Sequence, residues 1–281
     1  MAEEDILKRA NRVLGVASSQ ATRRELPAGD IEEVVRSLQG SLEARDAPFL
    51  VRIVYDITLS MERYIDVVKQ NIKAVGEELL EKEKGTHLSV WGIGDHWEGT
   101  LLQTNNYTTS QEEFSKQIGG IHRFDGVDDA EAYECAFKRL AVAAYDDKKN
   151  YPGSKIATIF IGDSLPHRMK GQIFSDNGCP DGVDYKQELL KLTSTTDLFY
   201  FIGCSDRSMA TSLQESLINA DDPNQKFIHL GKMVEDVPPL LIAAIKLMRN
   251  PVSVQDYLRQ LPPGQGGRIA GYLALPPPSQ K

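Results

Sequence analysis

The chain lacks the short motifs that mark several common enzyme classes. It has no G-x-x-x-x-G-K-[ST] loop, no G-x-G-x-x-G after the first predicted strand and no G-x-S-x-G turn. These absences argue against P-loop nucleotide hydrolysis, dinucleotide binding of the Rossmann type and a nucleophile elbow. No pattern supplies a catalytic residue, so the leading hypothesis is a binding protein.

Cysteine and basic charge are also scarce. The 281 residues include only three cysteines, widely spaced and without a C-x-x-C pair, so we expect reduced structural thiols and a cytoplasmic protein. Lys and Arg number 32 against 40 acidic residues, which gives a net charge of −8. Nucleic-acid binding depends on basic residues that neutralise phosphate, so this balance argues against a nucleic-acid partner.

Long apolar runs are missing as well. No run is long enough to span a bilayer, and the first residues, 1–5, are acidic where a secretory signal would be basic. We therefore expect neither a signal peptide nor a membrane-embedded segment. Hydrophobic residues still make up 41% of the chain, which is enough for a sizeable core.

What the sequence does contain is a regular alternation of strand-like and helix-like segments from Phe49 onward. Phe49–Tyr55 is a continuous apolar run, typical of a strand buried on both faces of a parallel sheet. The repeated β-α units predict a doubly wound α/β fold, with a mostly parallel central sheet flanked by helices. We predict strands at Phe49–Tyr55, His87–Ile93, Thr100–Tyr107 (a polar edge strand), Lys155–Ile161, Leu198–Ile202 and Phe227–His229, and helices at Met61–Lys82, Ser110–Ile118, Asp129–Tyr145, Asp184–Ser194, Ser208–Asn219 and Val234–Met248.

The two ends of the chain differ from this central part, 49–250. Residues 1–48 predict an N-terminal helical extension, with amphipathic helices at about 4–17 and 30–44. Residues 251–281 form a Pro/Gly-rich C-terminal tail. Apart from a helix-like piece at 254–261, we expect this tail to be extended or disordered, or to be ordered by a partner.

Three polar segments follow or adjoin predicted sheet elements. Asp56, Thr58 and Ser60 come directly after the first strand, a carboxylate and two hydroxyls at two-residue steps. A second, acidic segment at 125–132 contains Asp128, and Asp163 follows the strand at Lys155–Ile161. Sites in such sheets lie at the carboxyl ends of the strands, so these oxygens can converge. Carboxylates and hydroxyls are the ligands of hard divalent cations such as Mg²⁺.

The order and spacing of these segments resemble the von Willebrand factor A (vWA) domain with its metal-ion-dependent adhesion site. The family motif D-x-S-x-S reads Asp56-Ile57-Thr58-Leu59-Ser60 here. A later family motif, an Asp that ends a central strand before a Pro-containing turn, is similar to Gly162-Asp163-Ser164-Leu165-Pro166. A middle element, G-G-G-D-x-P-E-A in many bacterial members, aligns with 125–132. The resemblance covers roughly Phe49–Met248.

This resemblance implies a vWA-type, Rossmann-like fold with a cation site. Its ligands would be Asp56, Thr58, Ser60, Asp128 and Asp163, with Asp129 as the competing assignment in the middle segment. The cofactor would be Mg²⁺ or another divalent cation such as Mn²⁺ or Ca²⁺. The function implied is a non-enzymatic adaptor or scaffold that engages another protein, in some cytoplasmic relatives beside an AAA+ ATPase.

Three departures from the family pattern bear on this function. Thr58 stands where Ser is more usual, and Leu59 replaces a frequent Gly. Asp128 takes a place where many adhesive members have a neutral Thr. The additional carboxylate should hold the ion more tightly and reduce its attraction for an acidic side chain of a partner.

Two other functions stay open at this stage. An Asp cluster at strand ends also describes metal-dependent hydrolases and phosphoesterases, in which His96 or His167 would act as acid or base. Only Arg168 and Lys170 are near enough in sequence to bind a phosphate, and no nucleophile or second metal can be assigned. In the third interpretation the fold is vWA-like but purely structural, with a decayed metal site.

Several of these residues also have plainer explanations. Ser60 could simply cap the following helix. We expect His167 to be a rim or turn residue and His96 to belong to a loop packed by Trp97. We expect Cys135 to lie in the core, and Cys179, in an acidic turn-rich loop, to be the most exposed thiol.

Overall fold

The computed structural model describes residues 47–96, 101–123, 130–167, 178–204, 225–230, 234–249 and 251–275. Several predictions lie outside these ranges: the helices of the N-terminal extension, the helix at Ser208–Asn219, and the site residues Asp128 and Asp129. The described residues contain almost all of the predicted α/β elements. No helix among them combines the length and the apolar character needed to cross a lipid bilayer.

The predicted α/β fold with a mostly parallel sheet is confirmed. The strands are β1 (Phe49–Asp56), β2 (Thr86–Ile93), β3 (Leu102–Gln103), β4 (Ala130–Glu131), β5 (Lys155–Gly162), β6 (Leu165–Pro166), β7 (Leu198–Gly203) and β8 (Gln225–His229). Six of them form one sheet in the order β3-β2-β1-β5-β7-β8, parallel except for β3, which is antiparallel to β2. The predicted edge strand is correct only at Leu102–Gln103.

The helices among the described residues mostly lie near their predicted positions, but the last one, Gln265–Tyr272, was not predicted. They are α1 (Glu62–Lys82), α2 (Gln111–Gly120), α3 (Tyr133–Asn150), α4 (Tyr185–Thr195), α5 (Val237–Arg249), α6 (Pro251–Gln260) and α7 (Gln265–Tyr272). Ser110 caps α2 as predicted, because its hydroxyl accepts a hydrogen bond from the backbone N–H of Glu113. α3 begins later than predicted because 130–131 pair with β6 as a short parallel strand instead.

The direction of the strand order reverses between β1 and β5. From β1 the chain moves outward to β2 and β3 on one side, and from β5 to β7 and β8 on the other. α1 packs on one face of the sheet, whereas α3 and α4 pack on the opposite face. Helices that diverge in this way leave a crevice at the carboxyl ends of the two central strands. Asp56 and Asp163 both lie at this reversal.

β1 is the centre of the core, and all eight of its residues are buried. Val51, Ile53 and Tyr55 face the apolar cluster that includes α1 and α5, whereas Leu50 and Val54 face the cluster of α3 and α4. This two-sided burial explains the continuous apolar run in the sequence.

One charged side chain, Arg52, lies within this core. Its guanidinium carbon is 4.6 Å from the centre of the Trp91 ring and 5.0 Å from that of Tyr107. Its Nη2 donates to Asp147 Oδ2 at 2.8 Å, and the Tyr107 hydroxyl donates to the same oxygen at 2.9 Å. Arg52 is therefore neutralised by Asp147 and stacked between two aromatic rings.

The helix-like piece predicted at 254–261 is confirmed, within a longer helix α6, but the prediction of an extended or disordered tail is wrong for 262–275. α6 and α7 bury apolar side chains at helical spacing in the same cluster as α1 and α5; these are Val254, Leu258, Ile269, Ala270 and Leu273. Pro251 is the first residue of α6, where proline is tolerated, and Gly264 precedes α7 with a φ of 83°. Proline and glycine therefore mark helix boundaries here, which the compositional argument overlooked.

Candidate metal centre at the carboxyl edge of the sheet

The turn after β1 holds its three polar side chains together. Thr58 donates to Asp56 Oδ1 from its backbone N–H (2.8 Å) and from its hydroxyl (2.6 Å), and Thr58 Oγ1 lies 3.2 Å from Ser60 Oγ. Asp56 and Thr58 are fully buried, whereas Ser60 is exposed. Ser60 lies within a short 3₁₀ turn, Leu59–Met61, and Met61 is the N-cap of α1, so the capping explanation for Ser60 is wrong.

Asp163 joins this group from a distant part of the chain. Ser60 Oγ donates to Asp163 Oδ1 at 2.9 Å, although the two residues are 103 positions apart. The contact follows from the topology, because β1 and β5 are neighbours and their carboxyl ends lie side by side. Asp163 is 7% exposed and so borders the surface. Four of the five predicted ligands therefore come together, and the fifth, Asp128, lies outside the described residues.

Two further residues, which the sequence analysis did not select, complete the cluster. The Tyr133 hydroxyl donates to Asp56 Oδ2. Glu131 is 2% exposed, and its Oε2 has no hydrogen-bond partner among the described residues. The pairing of β4 with β6 places Glu131 opposite Pro166, on the segment that follows Asp163. Glu131 aligns with the glutamate of the G-G-G-D-x-P-E-A pattern, and that alignment was the available signal.

Gly162 makes the approach of Tyr133 possible. A Cβ atom at this position would overlap the Tyr133 hydroxyl and crowd its ring. The ring itself is fixed edge-on against Phe160, with centroids 4.9 Å apart. The last residue of β5 is thus a glycine because an aromatic side chain from α3 crosses directly over it to reach Asp56.

The three carboxyl groups have raised pKa values. Burial raises the pKa of Asp56 to about 7, although hydrogen bonds from Thr58 and Tyr133 partly offset the rise. Burial raises the pKa of Glu131 to about 10, and the charges of Asp56, Asp95 and Asp163 add to the effect. Burial also raises the pKa of Asp163, against the opposing effects of the Ser60 hydrogen bond and the Arg63 charge.

Among the described residues, no lysine or arginine forms an ion pair with any of these three carboxyl groups. Buried carboxylates are costly unless a cation or a set of donors neutralises them. The donor set consists of oxygens alone, three carboxyl groups and two hydroxyls. Such a set fits a hard divalent cation.

A second cluster lies at the end of β2 and the start of α3. The ligand atoms of His96, Glu134, Cys135 and Cys179 all lie within 4.8 Å of one another. Cys135 is in the core, as predicted, but Cys179 is fully buried, so the expectation of an exposed thiol is wrong. Its loop packs on α3, where Cys179 contacts Cys135 and Val183 in a small apolar group. Burial raises the pKa of both thiols.

The expectation for His167 also needs correction, whereas the packing of Trp97 beside His96 lies outside the described residues. His167 is fully buried rather than on a rim, and its Nε2 lies 2.9 Å from Asp95 Oδ1. His96 Nε2 lies 2.5 Å from Glu134 Oε1, and the His96 backbone N–H donates to Asp95 Oδ1 at 2.6 Å. Each imidazole is therefore held against a carboxylate. Sequence reasoning missed these pairs because the partners are 38 and 72 residues apart.

Comparisons with known proteins bear on the fold. The structure is similar to the pilus adhesin SpaC from Lactobacillus rhamnosus GG in its open conformation, with a TM-score of 0.54 and 12% identity over 75% of this chain and 30% of that one. It is also similar to proximal thread matrix protein 1 from the mussel byssus, with a TM-score of 0.50 and 14% identity over 72% of this chain and 48% of that one. This chain spans less than half the length of either protein. No family model and no curated protein matches the sequence. At these identities the likeness shows an α/β fold shared with parts of two larger proteins.

Proposed function

We propose that this protein is a vWA-like binding module whose binding surface depends on a divalent cation. The observation that carries the proposal is the continuous chain of side-chain contacts that joins Asp56, Thr58, Ser60 and Asp163 at the reversal of strand order. Crevices at such reversals are where open α/β sheets bind their ligands.

The residues present fit a bound Mg²⁺ or Mn²⁺. Asp56, Thr58, Ser60 and Asp163 would hold the ion, with Glu131 as a further carboxylate whose Oε2 has no hydrogen-bond partner within the described ranges. When bound, the ion supplies positive charge that compensates three buried acids. The cluster contains neither sulfur nor imidazole, which favours a hard cation over zinc at this point.

A protein partner is supported by the surface beside the cluster. Leu59 lies between Thr58 and Ser60 in sequence and is 47% exposed, so an apolar side chain is accessible beside the polar cluster. Protein interfaces combine apolar contact area with polar groups, and this surface offers both. Three carboxyl groups around one divalent ion leave no excess positive charge. We therefore expect the partner to present neutral or basic groups there, rather than a carboxylate.

The alternative of a metal-dependent hydrolase gains no support from the histidines. It required His96 or His167 as an acid or base near the Asp cluster. His167 is fully buried against Asp95, and the His96 side chain is only 5% exposed and is bonded to Glu134. We therefore prefer the non-enzymatic function. Thermal unfolding with and without cation distinguishes the binding function from a purely structural domain with a decayed metal site.

The deciding experiment is thermal unfolding of the chelator-treated full chain with and without Mg²⁺ or Mn²⁺. Saturating cation should raise the melting temperature, since an ion at 100 times its Kd adds about 2.7 kcal/mol to the free energy of unfolding. Asp163→Asn should abolish the shift, whereas Glu112→Gln, an acid-to-amide change at the exposed start of α2, should leave it unchanged. No shift in the unmodified chain would support the decayed site.

Partner binding is tested with Leu59→Ala. Proteins recovered from the native host with the unmodified chain in Mg²⁺ should be lost with Asp163→Asn and with chelator. Leu59→Ala should weaken their recovery while leaving the cation-induced shift intact. Partner recovery that is equal with and without cation would contradict the proposed dependence.

A further inference from the structure

The cluster of His96, Glu134, Cys135 and Cys179 has the composition of a different kind of metal site. Its four residues come from three segments: the end of β2, the first turn of α3 and the loop before α4. All are removed from solvent, with exposures of 5% for the His96 side chain, 0% for Glu134, 4% for Cys135 and 0% for Cys179. Glutamate in particular is almost never fully buried unless it is paired.

The spacing of the sulfur atoms is informative. Cys135 Sγ and Cys179 Sγ are 3.7 Å apart, well beyond the roughly 2.05 Å of a disulfide bond. Two thiolates on a tetrahedral Zn²⁺, each at about 2.3 Å from the ion, lie roughly 3.8 Å apart. The thiols are therefore already at the separation that zinc requires.

The other two ligands are held in place by groups behind them. Glu134 Oε2 accepts the backbone N–H of His167 at 3.0 Å, which leaves Oε1 directed at His96. Asp95 accepts the backbone N–H of His96 and contacts the His167 ring. Outer groups that orient ligands in this way are typical of protein metal sites.

We propose that His96, Glu134, Cys135 and Cys179 bind one Zn²⁺ in a closed, four-ligand structural site. His and Cys with one carboxylate form a ligand set that zinc accepts and that Mg²⁺ does not favour. The ion displaces the proton shared by His96 and Glu134 and the two thiol protons, and zinc undergoes no change of oxidation state. The two ring and carboxylate atoms, now 2.5 Å apart, separate to about 3.3 Å around the ion.

The role of this zinc is to fix the first turn of α3. Glu134 and Cys135 come directly after Tyr133 and within four positions of Glu131. The Tyr133 hydroxyl donates a hydrogen bond to Asp56. Zinc would tie this turn to the end of β2 and to the 178–183 loop, neither of which is a sequence neighbour. The inference does not depend on the function proposed above, because it uses none of the residues of the Asp56 cluster.

The first test is metal content. The full chain, purified with a thiol-free reductant and without chelator, should contain about one zinc per chain by elemental analysis, or should take up one when stripped and titrated with Zn²⁺ alone. Cys135→Ser and Cys179→Ser should each lower zinc affinity by at least tenfold. Cys204→Ser is the matched control, because Cys204 is the third buried cysteine and lies outside the cluster, and it should retain the zinc.

The second test identifies the ligands and does not depend on the variants folding. Co²⁺ added to the stripped, reduced chain should produce a thiolate-to-cobalt charge-transfer absorption and the visible bands of tetrahedral cobalt, both displaced by Zn²⁺. Asp163→Asn should bind Zn²⁺ and Co²⁺ as the unmodified chain does, so failure of the Mg²⁺ site and failure of the zinc site are separate results. Absence of the thiolate band overturns the zinc site, as does a Cys204→Ser loss equal to that of Cys135→Ser. Oxidation of Cys135 and Cys179 to a disulfide with no zinc uptake after reduction also overturns it.

Discussion

Ser60 Oγ donates a hydrogen bond to Asp163 Oδ1 over 2.9 Å and so joins the turn after β1 to the turn after β5. The two strands are neighbours at the reversal of strand order, so a single side-chain contact links the two crossovers that leave in opposite directions. The consequences of placing carboxyl groups at this junction can be measured.

Asp163→Asn should make the cation-free protein more stable, even though it removes a proposed ligand. Burial raises the pKa of Asp163, so replacing the acid with a neutral amide removes the cost of desolvating a charge while Ser60 keeps an acceptor. We therefore expect the free energy of unfolding to increase. Denaturant unfolding in chelator should detect it, and Glu112→Gln should show no gain. A loss of stability would mean that this carboxylate is already neutralised.

The stability of the cation-free protein should fall as pH rises through neutrality. From about pH 4 to pH 7 the unfolded chain ionises Asp56 while the folded chain keeps it protonated, and Glu131 extends the window to about pH 10. The unfolded state then binds fewer protons, so the slope is negative, at about 1.4 kcal/mol per pH unit for each group at most. Glu131→Gln should flatten the decline above pH 7 in a denaturation series.

Cation binding should strengthen over the same range of pH. The ion competes with the protons on Asp56 and Glu131, so the Mg²⁺-induced shift in melting temperature should be larger at pH 8 than at pH 6. A shift that does not vary with pH would indicate ligands that are already ionised. Glu112→Gln should follow the unmodified chain at every pH.

Gly162→Ala and Tyr133→Phe should not act additively. The alanine Cβ would overlap the Tyr133 hydroxyl, so we expect Gly162→Ala to cost about 1–3 kcal/mol. Tyr133→Phe removes the donor to buried Asp56 and should cost about 1–3 kcal/mol. The double variant should cost less than the sum, because loss of the hydroxyl makes room for the methyl. Strict additivity in a double-mutant cycle would argue against the contact.

Asp147→Ala should be among the more damaging single changes in this chain. It leaves Arg52 charged and only 3% exposed, and it also removes the acceptor of the Tyr107 hydroxyl. Breaking a buried pair in this way costs about 3–5 kcal/mol. The neighbouring Asp146→Ala, at an exposed position of the same helix, is the control and should change stability by less than about 0.5 kcal/mol.

Much of the fold could be predicted because its signals are local. The apolar run of β1 and the helical spacing in α1 follow from two-sided and one-sided burial, and both were placed within a residue or two. Asp56 and Asp163 could be paired because parallel strands bring their carboxyl ends to one edge. Asp128 and Asp129, predicted on the same basis, stay predictions.

The rest could not be predicted because it depends on contacts between distant segments. Nothing near Cys179 in sequence indicates Cys135 or His96, which are 44 and 83 positions away. Tyr133 reaches Asp56 only because Gly162 lacks a side chain, and neither residue suggests this alone. For α7, the prolines and glycines of 262–267 led to the prediction of an extended tail. The apolar spacing of Ile269 and Leu273 was the better guide, because burial of these residues determines the structure there.

Residues Glu131–Cys135 touch both clusters within a single stretch of five positions. A rigid-body shift of this stretch would therefore move residues of both clusters together. If an ion at one cluster changes the affinity of the other cluster for its ion, thermodynamic reciprocity requires the second ion to change the affinity of the first cluster by the same factor. The first turn of α3 would in this way couple the two proposed metal sites, one suited to Mg²⁺ and the other to Zn²⁺.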